Sequence, residues 1–158
     1  MKKPWNLPDL PVYSLATKGE NGFNMNICTY VSAVSMQPKR FMVAVYNGTR
    51  SLENMYASEQ AVLQLLTTSQ VGLVRSLGKK SALQFDKQTW LRKKNVLSEW
   101  QSFTVLRDAA AWMLLQKRWH QDAGDHVLFL FDVVKYQTNN PDNIMTLHTL
   151  RQHKIISI

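Results

Sequence analysis

Alternation of apolar and polar residues predicts a chain built mainly from β-strands. Residues 12–17 alternate as a strand, and the Gly and Asn content of residues 18–24 is typical of a hairpin turn. We interpret residues 26–38, which read NICTYVSAVSMQP, as the returning strand, and residues 40–47 as a third strand. Three strands therefore precede the first helical pattern.

The pattern becomes helical at Thr49. Leu52, Met55 and Tyr56 recur at the spacing of one helix face, which predicts a short helix ending near Ser58. This is the first of two helices that the pattern supports.

Strand and helix patterns alternate in the next segment. Residues 61–67 predict a strand, and residues 69–78 predict a second helix with Ser69 as its N-cap and Gly78 at its end. Residues 79–104 show no sustained period, and we interpret them as a loop with helical turns.

The clearest hairpin lies in the second half of the chain. Residues 109–120 and 126–137 are two long strand candidates joined by QDAGD, a connection that contains Gly124. One more short strand is predicted around residues 143–150. Six or seven strands against two helices, with apolar residues on both strand faces, favour a small β-barrel.

Composition limits the classes of protein to consider. The 158 residues suffice for a single domain spanning 1–158, and the lone cysteine, Cys28, allows no internal disulfide, which fits a reducing compartment. Prolines interrupt residues 1–14, and the longest apolar run, residues 127–131, is too short to span a membrane. We expect a cytoplasmic protein without a membrane segment.

The number of large apolar residues predicts a homodimer. Five tryptophans and seven methionines exceed what the interior of one small barrel holds, so part of this apolar surface is expected to be buried between two subunits.

An excess of basic residues favours an anionic partner. Nineteen Lys and Arg against eleven Asp and Glu give a formal net charge of +8, which would attract nucleic acid, anionic lipid or an anionic small molecule. The main basic concentration comprises Lys79, Lys80, Lys87, Arg92, Lys93 and Lys94. It lacks the clustered aromatics of a single-strand binding platform, so nucleic acid is not expected, and a solvated basic face remains an alternative.

The start of the first helix is a candidate anion site. Gly48, Thr49, Arg50 and Ser51 stand at or just before its first turn. The helix dipole favours an anion there by about 0.3–1 kcal/mol, and each hydrogen bond to a charged group adds about 1.5–3 kcal/mol. The alternative is that Thr49 or Ser51 is only a helix N-cap.

Few residues fit nucleophilic, carboxylate or metal chemistry. The chain has no G-x-S-x-G elbow and no zinc-ligand spacing, Cys28 is expected in the core, and Asp122 and Asp125 fall in a hairpin turn. His126 differs because it follows Asp125 at the mouth of the longest hairpin. It either faces a ligand or is a rim histidine bonded to Asp125, and both alternatives stay open.

Five segments in order give the chain a family resemblance from Pro11 to about Val134. They read PVYSLAT, NMNICTYVSAVSMQPKRFMVAV, SLENM, LGKKSALQFDKQ and AGDHVLFLFDVV. Together they resemble the flavin reductase-like, FMN-binding split-barrel family, with Ser51 of SLENM replacing the threonine of the family's T-x-x-N-I.

The resemblance implies a fold and a set of flavin-binding residues. The fold would be mainly β, an FMN-binding split β-barrel of Greek-key-like form with two or three short helices, usually a homodimer with flavin sites near the interface. The cofactor-binding residues it implies are Thr29, Tyr30, Val31, Ser32, Asn47, Thr49, Arg50, Ser51 and Lys87.

Each part of this set has an implied role. The hydroxyl strand from Thr29 to Ser32 would lie along the flavin, the helix start would cradle the phosphate, and Lys87 would bring a positive charge. His126 would sit near the exposed ring face, where a nicotinamide could stack, as the candidate catalytic residue. Thr29 and Ser32 lie three apart in a strand, so their side chains should point to opposite faces.

The implied activity is hydride transfer from NAD(P)H to flavin, with FMN as cofactor, FAD as an alternative and NAD(P)H as a transient co-substrate. The chain departs from the family pattern at Gln88, at Leu114-Leu115 and at Asp132. These departures suggest an alternative, an FMN-binding electron-transfer or flavin-carrier protein without nicotinamide turnover.

Overall fold

The computed structural model describes residues 1–79 and 85–158. Within these ranges nine strands and four short α-helices follow one another, with 3-10 turns at Pro4–Asn6 and Thr68–Leu73. The strands are β1 (Tyr13–Gly19), β2 (Gly22–Met25), β3 (Val31–Ser35), β4 (Arg40–Tyr46), β5 (Gln60–Leu65), β6 (Leu97–Trp100), β7 (Phe103–Leu106), β8 (Ala111–Asp122) and β9 (His126–Thr138). The helices are α1 (Arg50–Ala57), α2 (Val74–Lys79), α3 (Lys87–Lys94) and α4 (Leu147–Gln152). A mainly β chain is confirmed; Lys80 and the SALQ portion of LGKKSALQFDKQ lie outside the described residues.

Seven strands form one antiparallel sheet in the order β2-β1-β5-β8-β9-β4-β3, and β6 and β7 form a separate hairpin. The longest pairing joins β8 to β9, from Ala111 opposite Thr138 to Asp122 opposite Val127. This pairing confirms the long hairpin that the sequence predicts. Because β9 also pairs with β4, the tip of the hairpin lies beside the end of β4, where Tyr46 stands opposite His126.

The segment between β2 and β3 begins as a continuation of β2 along β1. Met25 lies opposite Ala16, and Cys28 then pairs with Tyr13 in the same register. The ladder is interrupted between these two pairs. There the side-chain Oδ1 of Asn26 accepts a hydrogen bond from the backbone N–H of Leu15 at 2.8 Å, so a side chain supplies the bond that the backbone ladder lacks.

Two residues later the chain has changed partner, which closes the sheet into a barrel. The N–H of Ala44 in β4 donates to the carbonyl of Tyr30 at 2.9 Å, and Val31 then pairs with Val43 as β3 begins. Since β2 and β3 are the two edges of the sheet, the crossing at Thr29 joins them. The prediction of one continuous returning strand over residues 26–38 is wrong, because its first part pairs with β1 and its second part with β4.

Apolar side chains cover both faces of the sheet, as the sequence pattern predicts. On one face a cluster built around Phe129 and Phe131 packs with α1 through Leu52 and Met55. The other face carries a second cluster, which includes Leu114 and buries the inner sides of the later helices. Both faces of the sheet therefore pack against helices, and neither face is left fully open to solvent.

Three predicted elements differ in the structure. The helix expected over residues 69–78 begins with a 3-10 turn capped by Thr67, not by Ser69. Residues 79–104 were expected to be a loop with helical turns; the described part contains such turns as α3, but it also contains β6 and the start of β7, which were not expected. The strand expected at residues 143–150 is two isolated bridges followed by α4, because the helix start is stabilised by a hydrogen bond from the Thr146 N–H to Thr149 Oγ1 at 3.3 Å.

In the two described ranges, no helix combines the length and apolar character needed to cross a membrane.

Replacing Gly19 is expected to weaken the packing of α1 on β1. A Cβ at this position would overlap the side-chain oxygen of Asn54, so Gly19→Ala should lower the free energy of unfolding by about 1–3 kcal/mol. Urea denaturation of the purified protein measures the change. Gly72→Ala is the control, since a Cβ there meets no atom within 4 Å, and it should stay within about 1 kcal/mol of wild type. Equal stability of both variants would contradict the prediction.

Candidate functional site

A cavity of about 720 Å³ lies beside the crossing segment, and its volume falls in the range typical of small-molecule sites, about 300–1,000 Å³. Its wall brings together the crossing segment, the start of α1, the end of α2, one residue of α3 and the tip of the β8–β9 hairpin. Eight of the ten residues that the sequence nominates line it: Thr29, Tyr30, Asn47, Thr49, Arg50, Ser51, Lys87 and His126.

Val31 and Ser32 are not among the lining residues. Val31 opens β3 and packs against the core around Phe129. Ser32 is exposed, and its hydroxyl donates to the carbonyl of Ala33 at 3.0 Å. The cavity is therefore lined by Thr29 and Tyr30 at the crossing and not by the strand residues that follow them.

The start of α1 combines an N-cap residue with two helical residues whose backbone N–H groups point out of the helix end. The backbone N–H of Leu52 donates to Thr49 Oγ1 at 3.2 Å, so Thr49 is the N-cap. Arg50 and Ser51 occupy the first two helical positions, whose N–H groups have no carbonyl partner within a helix. Thr49 is therefore the N-cap of α1 and also lines the cavity.

The loop before α1 is fixed by the tip of the long hairpin. Asn47 donates its backbone N–H to the carbonyl of Asp125 at 3.0 Å and its side-chain amide to the carbonyl of Gly124 at 3.3 Å. Gly48 follows with a φ of 74°, in the left-handed region that glycine adopts without strain. The helix start and His126 are thereby held on the same side of the barrel.

A buried polar network ties α1 to β1 and β2. Asn24 donates its side-chain amide to Ser51 Oγ at 2.8 Å, and Asn54 donates to Thr17 Oγ1 at 3.0 Å. All four side chains are buried. In this chain the serine and asparagine of SLENM therefore position the helix. Sequence reasoning missed Asn24, although asparagine is unusual in a buried strand and could have marked it.

Lys87 is a buried lysine in the wall of the cavity, 6 % exposed. Its ammonium donates to the carbonyls of Met25 and Leu77, each at 2.9 Å, and so links β2 to α2. Burial lowers the pKa of Lys87 to about 8. Two of its three N–H donors are used by these carbonyls, which leaves one for a further acceptor.

Two aromatic rings contact His126 in the wall of the cavity. The ring centroid of His126 lies 5.0 Å from that of Tyr30 and 5.1 Å from that of Tyr46. Nδ1 of His126 is 2.7 Å from a carboxylate oxygen of Asp125. His126 is therefore both a rim histidine bonded to Asp125 and a residue that lines the cavity.

Cys28 also lies in the wall of the cavity, but its thiol is expected to be unreactive. It is buried, as expected for a core cysteine, and burial raises the pKa of its thiol to about 12. The thiolate that a nucleophile requires is therefore scarce at neutral pH.

The comparisons with known proteins agree with this geometry. Residues 9–155 match the sequence profile of the family described as Flavin reductase like domain. The chain belongs to the flavin reductase-like domain family. No curated protein matches the chain.

Solved structures support the fold of this family. An FMN-binding protein from Thermus thermophilus, crystallised with p-hydroxybenzaldehyde, is 18% identical with a TM-score of 0.77, over 89% of this chain and 78% of that one. Flavoredoxin from Methanosarcina acetivorans is 13% identical, with a TM-score of 0.79 over 92% and 84%. The styrene monooxygenase flavin reductase from Pseudomonas putida S12 is 20% identical, with a TM-score of 0.73 over 85% and 84%. The split-barrel fold is confirmed.

The residues around the cavity fit a phosphorylated flavin. Among the lining residues that the structure describes there is no Asp or Glu, while Arg50 and Lys87 are cationic. The cations and the free N–H groups of α1 suit a phosphate. The rings of Tyr30, Tyr46 and His126 suit a planar aromatic system.

The depressed pKa of Lys87 predicts a pH-dependent stability. Between its pKa of about 8 in the folded protein and 10.5 in the unfolded chain, only the unfolded state holds the proton. The unfolded state then binds more protons, so the free energy of unfolding should rise with pH across this window. The reverse would hold for a lysine whose pKa is raised in the folded protein by an anionic partner.

The measurement is urea denaturation of the flavin-free protein at several pH values from 7 to 11. Lys87→Met should remove the rise that Lys87 contributes, leaving a smaller slope than wild type. Lys93→Met, which replaces an exposed lysine of the same helix, should keep the wild-type slope. Parallel pH profiles for all three proteins would refute the assignment.

Proposed function

We propose that this protein is an FMN-binding flavin reductase, a single split-barrel domain that acts in the cytoplasm and transfers hydride from NADH or NADPH to flavin. One observation carries the proposal: in a member of this family, a single cavity joins a cationic helix start to an aromatic mouth. The flavin, when bound, would supply the redox chemistry. FMN is the proposed cofactor because the cavity offers donors for one phosphate group.

The start of α1 is proposed to bind the phosphate. Arg50 contributes a guanidinium that is already oriented by Glu53, with an N–O distance of 3.0 Å. The N–H groups of Arg50 and Ser51 and the third N–H of Lys87 add donors. Charge-assisted hydrogen bonds of this kind are the stronger ones available to a protein, so this end of the cavity would set flavin affinity.

The crossing segment is proposed to hold the flavin ring. Thr29 is half-buried at the crossing and lines the cavity. Tyr30, Tyr46 and His126 would leave one ring face open to the nicotinamide. No acid or base is required from the protein for hydride transfer, which fits a His126 whose Nδ1 already contacts Asp125.

Nicotinamide turnover tests the reductase function. Purified protein supplied with FMN should take up the flavin and oxidise NADH or NADPH with saturation. His126→Ala should lower kcat/KM for the nicotinamide by about 3- to 10-fold, because one ring contact is lost. His153→Ala, an exposed histidine at the end of α4, is the control and should behave as wild type. Flavin uptake without any turnover would favour the electron-carrier alternative, and absence of flavin uptake would refute both.

A homodimer is proposed as the working form. Exposed apolar side chains gather on edge strand β3 and the turn that follows it, where Val34 is 52 % and Met36 90 % exposed. Tyr30 and Tyr46, at the mouth of the cavity, are also more than half exposed. An unpaired edge with apolar side chains is a natural surface for a second copy, which would also cover the cavity mouth.

The double variant Val34→Lys, Met36→Lys is expected to dissociate this dimer. Two charges on the proposed interface would have to be buried without partners, which opposes association. Light scattering coupled to size exclusion should give twice 18.2 kDa for wild type and 18.2 kDa for the variant. Leu7→Lys alters an exposed apolar residue on the N-terminal segment and should remain dimeric. A monomeric wild type would exclude the dimer.

A further inference from the structure

One buried polar atom stands out beside the proposed phosphate end of the cavity. Among the residues that the structure describes, Oδ1 of Asn24 is the one buried side-chain nitrogen or oxygen without a hydrogen-bond partner. Asn24 is 3 % exposed. Native proteins rarely leave such an atom unpaired, and an absent partner is a common reason when they do.

Asn24 stands where two cavities meet. It lines the large cavity and also a neighbouring one of about 70 Å³, and Arg50 and Lys87 likewise line both. The smaller cavity includes one carboxylate, Asp86, whose two oxygens are bonded to the backbone and hydroxyl of Thr89. The two cations shared by the cavities therefore favour a ligand that accepts hydrogen bonds and carries negative charge.

The hydroxyl of Ser51 can form a hydrogen bond with either the nitrogen or the oxygen of the Asn24 amide. Nδ2 donates to Ser51 Oγ at 2.8 Å in the structure. A serine hydroxyl is both a donor and an acceptor, so the same contact persists when the amide is turned and Ser51 donates to Oδ1. The turned amide presents its NH₂ group to an acceptor, and both ends of the side chain are then satisfied.

We propose that Asn24 is a phosphate-recognition residue that selects FMN over unphosphorylated riboflavin. With phosphate bound, Ser51 donates to Oδ1 of Asn24, and Nδ2 of Asn24 donates to a phosphate oxygen. This inference rests on the proposed flavin site. It adds to that site a residue that lies in β2, outside the helix start and not among the ten residues that the sequence nominates.

Asn54 provides a matched control within the same network. It is the same residue type, is also buried, and donates to Thr17 Oγ1 at 3.0 Å. It does not line either cavity. A purely structural role for the network would make the two asparagines equivalent, whereas phosphate recognition would separate them.

Affinity for the two flavins is the first test. Flavin fluorescence quenching gives Kd for FMN and for riboflavin. Asn24→Ala should weaken FMN binding about tenfold or more, the loss expected for one hydrogen bond to a charged group, and change riboflavin binding less than threefold. Asn24→Asp keeps the shape but adds a negative charge, so it should weaken FMN binding further. Asn54→Ala should leave the ratio of the two Kd values at its wild-type value.

A spectroscopic test titrates the wild-type protein, and a variant is needed only to assign one signal. In ¹⁵N-labelled protein, the side-chain NH₂ signal of Asn24 is the one that Asn24→Asp removes. This signal should shift on titration with FMN and with inorganic pyrophosphate, and not with riboflavin.

The outcomes separate this inference from the proposed function. If FMN and riboflavin both bind, and Asn24→Ala weakens them equally, the flavin site stands and the role of Asn24 is overturned. If neither flavin binds wild type, the proposed function fails, and the role of Asn24 is judged by the pyrophosphate titration alone. A shift of the Asn24 signal then supports anion recognition by Asn24, and an unchanged signal overturns it.

Discussion

The rest of the structure depends on the change of hydrogen-bond partner between Cys28 and Tyr30. Cys28 is paired with Tyr13 of β1, and Tyr30 accepts from Ala44 of β4. This crossing connects the two edge strands, β2 and β3, of a seven-stranded sheet. The crossing also leaves Thr29 outside the regular strands, and Thr29 lines the cavity.

The same closure brings distant parts of the chain to one place. Because β4 pairs with β9, Tyr46 stands opposite His126, and the tip of the hairpin reaches the loop before α1. Asn47 is bonded to that tip through both its backbone and its side chain. The helix start is therefore held from two sides, by the hairpin and by the buried bonds of Ser51 and Asn54. A rigid frame of this kind suits a site that must position a ligand without supplying an acid or a base.

Polar groups in the wall are expensive to bury, and their arrangement is informative for that reason. Lys87 satisfies two carbonyls while its pKa is lowered by burial. Asn24 satisfies Ser51 and leaves its oxygen unpaired. A core built only for stability would favour apolar side chains at these positions. Their presence between a helix start and a cavity is the physical basis for placing the anionic end of a ligand there.

Local chemistry determined much of this protein. Alternation predicted β1, β4, β5 and the β8–β9 hairpin, and the helical spacing after Thr49 predicted α1 with its N-cap. The segments resembling a known family indicated eight residues that the structure places around one cavity. Each of these strands, the hairpin and the helix is encoded within a few neighbouring residues, so the sequence by itself specifies them.

Only the tertiary structure decided the rest. The crossing at Thr29 follows from pairing first with β1 and then with β4, and no local pattern reports it. It separates Thr29 and Tyr30, which line the cavity, from Val31 and Ser32, which do not. Asn24 became significant only when its neighbours were known, because burial and an unpaired oxygen are properties of packing and not of residue type.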